Sequence, residues 1–329
     1  MGQTISAYLQ AWIKAIVEYF VERKLLGYMN KLKPGDMQQW EVYEYQGVPL
    51  FLDILPSTME DLKTFHVRDD DVFIVTYPKA GTTWTQEIMS CVLHDGDIDT
   101  VNKSHTMKRV PFLEMNFGGT VHDDYPRIHK MIGWMPRSAP RLIKSHLPGH
   151  LLPPQVWEKR AKIVYVIRNP KDLAVSYFYH NRGLNPHLDL RWEDFFDCYH
   201  SGQIGYGKWW EHFLYFWKRR HEDHILLLRF EDMKKDLRGV IQQISEFLGK
   251  SFSDDVIDDI TRHCTFQNMK NNPMTNPDSM INQVIGKTEG RSFMRKGAVG
   301  DSRTHLSQDQ SEAIDSLCQE KLAESGLTF

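Results

Sequence analysis

Lys79 is the residue around which chemistry can be assembled. It follows the apolar run Val72–Tyr77 and Pro78, and it precedes Ala80, Gly81, Thr82 and Thr83. A short β-branched run of this kind predicts a strand buried on both faces. From Thr82 the apolar residues Trp84, Ile88 and Val92 return at helical spacing. Strand, tight loop and helix follow in that order. Such a loop aims backbone N–H groups and the positive end of a helix at one point, where Lys79 adds a full charge and Thr82 and Thr83 add hydroxyl donors. The ligand this predicts is a phosphate-like anion. A Walker loop is excluded, because that motif ends in Gly-Lys-Ser/Thr, whereas Lys79 precedes Gly81 by two positions. An ordinary strand–helix connection can carry the same residues, so the rest of the chain has to decide.

Three further stretches carry chemistry of the same kind. Lys144 ends a short predicted strand, Arg141–Lys144, and His146 follows two residues on. An imidazole there can accept a proton near neutral pH. Arg168 ends the strongest buried strand pattern, Lys162–Ile167, and Ser176 lies eight residues on, about two turns into the next predicted helix. Both can face one phosphate. Arg295, Lys296 and Gly297 supply two cations and, with Gly300, backbone that can approach an anion closely.

The elements that must position these residues alternate. Strands are predicted at 72–77, 141–144, 162–167 and 225–230. Helices are predicted at 5–29, from 82, and at 153–159, 171–182, 192–200, 206–220, 234–248, 253–263 and 308–324. Trp40–Leu55, turning at Gly47, predicts a hairpin or edge strands. Residues 95–140 predict loops broken by short helical turns, and 264–307 an irregular stretch. Strands too apolar to face water, interleaved with helices, predict an α/β fold with a central parallel sheet flanked by helices. In such sheets ligands bind beyond the carboxyl ends of the strands, which is where Lys79, Lys144, His146 and Arg168 fall. No linker divides the 329 residues, so one domain is expected, with 1–30 as an amphipathic helical extension.

Bulk properties narrow the function classes. A net charge of −3 shows no global bias toward nucleic acid. Cys91, Cys198, Cys264 and Cys318 are widely spaced and form no Cys-x-x-Cys pair, so they read as reduced thiols, and no metal ligand set is apparent. No apolar run reaches the roughly 20 residues of a membrane span. Cytoplasmic residence is the expectation. Met1-Gly2 with Ser6 fits an N-myristoylation pattern, leaving membrane contact a minor option beside a first helix that caps the domain.

Tyr77-Pro-Lys-Ala-Gly-Thr-Thr-Trp84 resembles the signature of the cytosolic sulfotransferases. Lys144-Ser-His-Leu-Pro148, Arg168 through Ser176, and Arg295-Lys-Gly297 match the same family in order, and the resemblance spans roughly Trp40 to Leu306. It implies a P-loop-kinase-like sulfotransferase fold. It also implies transfer of a sulfuryl group from 3′-phosphoadenosine 5′-phosphosulfate (PAPS), leaving adenosine 3′,5′-bisphosphate (PAP), without a metal. His146 would be the catalytic base, with Lys79 and Lys144 at the reacting oxygens. Residues 79–84 would hold the 5′-phosphosulfate. Arg168, Ser176 and Met294 through Gly297 would hold the 3′-phosphate, and Trp84, Phe230, Cys264 and Phe266 would form the adenine pocket. Phe230 and Cys264 depart from the tyrosine and threonine usual in the family, removing two possible hydroxyl contacts. Phe112, Met115 and His146 would line a pocket for a small hydrophobic hydroxylated or amine-bearing acceptor, and residues 116–140, with Gly118-Gly119 and Trp134, run longer than in many relatives. The family's self-association motif has only a loose counterpart in Arg303, Ser307, Gln308 and Glu312, so a monomer or weak homodimer is expected. A catalytically silent nucleotide-binding protein is disfavoured by the intact Lys79, Lys144, His146 and Ser176. An ATP-dependent kinase is disfavoured by the missing Gly-Lys-Ser/Thr loop and by the lack of a magnesium-binding aspartate at a strand end.

Overall fold

A computed structural model describes residues 42–52, 54–115, 127–137, 139–184, 189–285 and 292–329. The proposed N-terminal helix, Gly2, and residues 116–126 and 138 of the 116–140 stretch lie outside these residues.

The first strands, β1 (Val42–Tyr45) and β2 (Val48–Phe51), form an antiparallel hairpin. Its two-residue turn, Gln46-Gly47, takes positive φ at both positions, the geometry that matches hairpin twist. The hairpin docks by the Tyr206 N–H donating to Pro49 O at 2.8 Å.

Four parallel strands then build the central sheet: β3 (Val72–Thr76), β4 (Leu142–Ser145), β5 (Lys162–Ile167) and β6 (Ile225–Arg229), in the order β4-β3-β5-β6. Strand alternation assigns the core to two faces. Phe73, Val75, Ile163, Tyr165 and Ile167 point into one buried cluster, and Val72, Ile74, Val164 and Val166 into the other. The first cluster is aromatic: Tyr165 stacks on Phe216 at 4.0 Å and Trp209 is fully buried. The second packs the Thr82–Leu93 and Leu237–Phe247 helices.

The sheet's amino edge is latched by Arg141, whose guanidinium pairs with Asp71 inside the fold. Breaking one side of such a pair costs about 3–5 kcal/mol, so this end serves stability. The carboxyl edge is left for chemistry.

Three expectations are corrected. Ile225–Phe230 is not a buried strand throughout: β6 is the sheet's edge, Leu226 and Leu227 are half-buried, and Phe230 begins a helix, Phe230–Lys235. The 234–248 helix breaks at Asp236, whose φ of −142° and side chain cap a new helix, Leu237–Phe247, by accepting from Gly239 N–H. Residues 264–307 hold the helices Phe266–Asn271 and Asp278–Ile285.

Candidate active site

Strand order converges the chemistry. With β3 between β4 and β5, the loops after Thr76, Ser145 and Ile167 emerge side by side. After β3 the chain turns through Lys79 at φ +70° and Gly81 at φ +122°. A Cβ at Gly81 would meet the Phe230 ring at a tight 3.1 Å, but it is the φ of +122° that calls for glycine there. Thr82 opens the following helix, its hydroxyl 2.7 Å from that of Thr76.

His146 is oriented by the same Thr76. Nδ1 lies 2.7 Å from the Thr76 carbonyl, which can only accept. The proton is therefore on Nδ1, and Nε2 keeps the lone pair. The ring sits edge-on between Phe112 and Tyr206, at 5.0 and 5.4 Å. Its backbone is pinned too. The N–H donates to Glu114 Oε1 at 2.7 Å, and the carbonyl accepts from His212 Nε2, whose Nδ1 takes the Tyr165 hydroxyl at 2.6 Å. Burial first, then the charge of Lys144, holds the His146 imidazole well below its ordinary value. It is a neutral base at pH 7. Burial also lifts Glu114 to about 7.

Cations crowd the opposite side. Lys79 Nζ lies 3.3 Å from His180 Nδ1 and 4.5 Å above the Phe293 ring. Burial, then Arg168, Lys144 and Arg295, lower its ammonium to about 7. Burial lowers Lys144, which lies over the Phe112 ring at 3.9 Å, to about 8. Arg168 binds the Lys79 and Ala298 carbonyls at 3.0 and 3.2 Å and stacks on Phe230 at 4.2 Å. Clustered buried cations are unfavourable without an anion among them, so the arrangement selects an anionic ligand. Binding such a ligand should restore the lost protons. At pH 8 PAP is expected to take up about one proton per molecule bound, with affinity falling as pH rises above 7. Calorimetry in buffers of different ionisation enthalpy measures this, and a heat independent of buffer would contradict it.

The nucleotide side is walled as expected in part. The Trp84 indole N–H donates to the Cys264 carbonyl at 2.8 Å and meets Phe230 edge-on at 5.6 Å. Phe230 is 5% exposed and lies in the second core, so it is a floor under Trp84 more than an open stacking face. Phe266 lies against Gly297, where an added Cβ would come within 2.3 Å of the ring. Met294 is partly buried against the same core. Ser176 is half-buried on the Pro170–Leu184 helix. On the acceptor side, Met115 packs against the same core as Phe112, whose carbonyl accepts from the Met115 N–H at 3.3 Å, while Trp134 is 67% exposed.

Sequence reasoning missed several partners. Arg295 and Lys296 are both held by Asp301, so the two cations are not bare in this structure. Asp172 clamps the same loop by accepting from Gly300 and Ser302 N–H at 2.6 and 2.9 Å. Asp301 was findable, since it follows Gly300 directly; His180, Phe293 and Asp172 reach the site only through folding.

A parallel sheet whose carboxyl edge carries an anion loop, clustered cations and a neutral imidazole defines a transferase that handles an anionic donor. Residues 69–326 match the sulfotransferase domain family. Sulfotransferase 1B1 of Canis lupus familiaris is 34% identical over 91% of this chain and 98% of its own length. The amine sulfotransferase of Oryctolagus cuniculus is 38% identical over 82% and 87% respectively. Among solved structures, retinol dehydratase in complex with androsterone and the inactive cofactor PAP is similar with TM-score 0.80, at 25% identity over 87% of this chain and 90% of that one. A mouse sulfotransferase complexed with PAP gives 0.68, at 28% identity over 85% and 94%. The chain belongs to the sulfotransferase family, and it is an enzyme of that class.

Proposed function

We propose that this enzyme moves the sulfuryl group of PAPS onto a hydroxyl or amine of a small hydrophobic acceptor, with His146 Nε2 as the general base. The observation that carries this reading is the 2.7 Å contact of His146 Nδ1 with the Thr76 carbonyl, which fixes the tautomer. His146 takes the acceptor's proton as the oxygen or nitrogen attacks sulfur in line. The bridging sulfur–oxygen bond breaks, and Lys79 neutralises the charge arriving on the leaving 5′-phosphate, with Lys144 beside it. Arg168, Ser176 and Arg295 through Gly297 hold the 3′-phosphate. Trp84 and Phe266 flank the adenine above Phe230. Phe112, which touches both Lys144 and His146, and Met115 supply apolar wall to the acceptor.

We read the chain as one catalytic domain, cytoplasmic, and a monomer or weak homodimer. Among the described residues no helix is long and apolar enough to cross a membrane. Of the loose self-association counterpart, Ser307 is used locally, as the N-cap of the Gln308–Leu322 helix.

Calorimetry tests the reading. PAP should bind without metal, and ATP with magnesium should bind far more weakly. Arg295→Ala should weaken PAP by about tenfold, the lower end of the roughly 1.5–3 kcal/mol of a charged hydrogen bond, because the phosphate must take Arg295 from Asp301. Adenosine 5′-phosphate should be unaffected. Equal weakening of both nucleotides would show that the loop reads something other than the 3′-phosphate.

A further inference from the structure

One side chain inside the site takes no part in the chemistry above. His180 lies on the Pro170–Leu184 helix, one turn after Ser176 and so on the same face. Its Nδ1 stands 3.3 Å from Lys79 Nζ. Among the described residues, neither the ammonium nor the ring has another hydrogen-bond partner. Both pack on one aromatic ring. The ammonium lies 4.5 Å from the Phe293 centroid, and the imidazole meets Phe293 edge-on at 5.4 Å. An ammonium can only donate, so His180 Nδ1 accepts and the ring's proton is on Nε2. His146 carries its proton on Nδ1, so the two imidazoles of the site are opposite tautomers.

We propose that His180 is a positioning residue for the transfer, its Nδ1 holding the Lys79 ammonium on the Phe293 ring until the leaving phosphate takes it. The proposal rests on the assignment of Lys79 to that phosphate. Lys79 needs a holder, because the charges around it all repel. Arg168 acts on it from the end of β5, Lys144 from β4 and Arg295 from its loop. The chemical type of the holder decides what happens next. A carboxylate would form an ion pair that an arriving anion must break, as Asp301 forms with Arg295 and Lys296. His180 instead stays neutral. Burial, then Lys79, then His146 and Lys144, hold its imidazole well below the ordinary value. A neutral acceptor stabilises the ammonium without competing against an anionic donor. Without that acceptor the ammonium would have no hydrogen bond among the described residues and would shed its proton at lower pH.

Rates against pH test the proposal. kcat/KM for PAPS reports the free enzyme, so its alkaline limb in the native protein should fall near the Lys79 value of about 7. His180→Phe keeps a ring against Phe293 but offers no acceptor. It should move that limb down by about one pH unit, the scale of one charge-assisted hydrogen bond. kcat/KM should then drop about tenfold at pH 8 and no more than about twofold at pH 6. His180→Asn, whose side-chain oxygen can stand where Nδ1 does, should recover most of the loss. In a Lys79→Met background His180→Phe should cost nothing further, because its effect passes through the lysine. A structural role would instead lower the rate alike at both pH values and in both backgrounds. An unmoved limb, an equal loss in the Lys79→Met background, or an asparagine variant no better than the phenylalanine one would each overturn the proposal. A Lys79→Met enzyme within about tenfold of native would overturn the assignment of Lys79 itself, and this proposal with it. Should His180→Phe fail to fold, nitrogen-15 NMR of the native protein labelled at histidine decides. The resonance missing from His180→Asn must belong to an Nε2-protonated ring, and an Nδ1-protonated ring there would overturn the holding role.

Discussion

His146→Ala is expected to lower kcat by 10²–10⁴-fold, the range general bases contribute, while PAP affinity stays within about twofold. The asymmetry follows from geometry. The phosphates are assigned to Lys79, Arg168, Ser176 and the Arg295 loop, and His146 reaches the nucleotide side only through Thr76. Its Nε2 has no substitute, since His212 is committed at both nitrogens and is held at about 4 by burial. Because the His146 value lies well below the ordinary one, the base stays unprotonated as pH falls through 6.5. Loss of kcat/KM from this group should therefore begin only at lower pH. Quench-flow at saturating PAPS, with calorimetry for PAP, separates the two quantities. Retention of more than a tenth of kcat would remove His146 from the role.

Lys79→Met should cost about 10²–10³ in kcat/KM, comparable to losing one preorganised donor to a developing oxyanion, yet should not destabilise the fold. The free site keeps Lys79 near Arg168, Lys144 and Arg295, with its ammonium depressed to about 7. A lysine whose folded value lies below its unfolded one near 10.4 opposes folding most below pH 7, where it must be charged in both states. That penalty fades as pH rises toward 10. The methionine variant removes it, so its Tm should equal or exceed the native one at pH 6, with the difference shrinking at alkaline pH. Scanning calorimetry and initial rates together check the trade of stability for function. A large drop in Tm at pH 6, or a kcat/KM within tenfold of native, would contradict the assignment.

What was legible in the chain was whatever is written contiguously. The Val72–Trp84 stretch announces strand, loop and helix because period, glycine and β-branching sit together, and the structure keeps all three. Lys144 and His146 were readable because a strand end ranks them in space as in sequence. Order in the sheet was not legible, and it alone places β6 at an edge that leaves Leu226 and Leu227 half-buried. The break at Asp236 was hidden because the apolar period runs through it, while a side-chain cap decides the backbone there. Asp301 against Arg295 and Lys296, and His180 against Lys79, needed the tertiary fold. Single-residue chemistry can be seen in advance; partnerships across the fold cannot.

The central position of β3 also sets the terms on which the enzyme is made. Val72–Thr76 is among the first sheet strands synthesised, and it is buried along its whole length. Both its neighbours, Leu142–Ser145 and Lys162–Ile167, lie far downstream. At about 5–20 residues per second, the nascent chain carries an uncharged β-branched segment with two open edges for several seconds. Such segments pair with one another when they meet. Core substitutions that slow the later pairing are therefore expected to lower the yield of soluble protein as well as the activity of what folds. The yield of soluble protein consequently belongs beside every rate measured on a variant of this sheet.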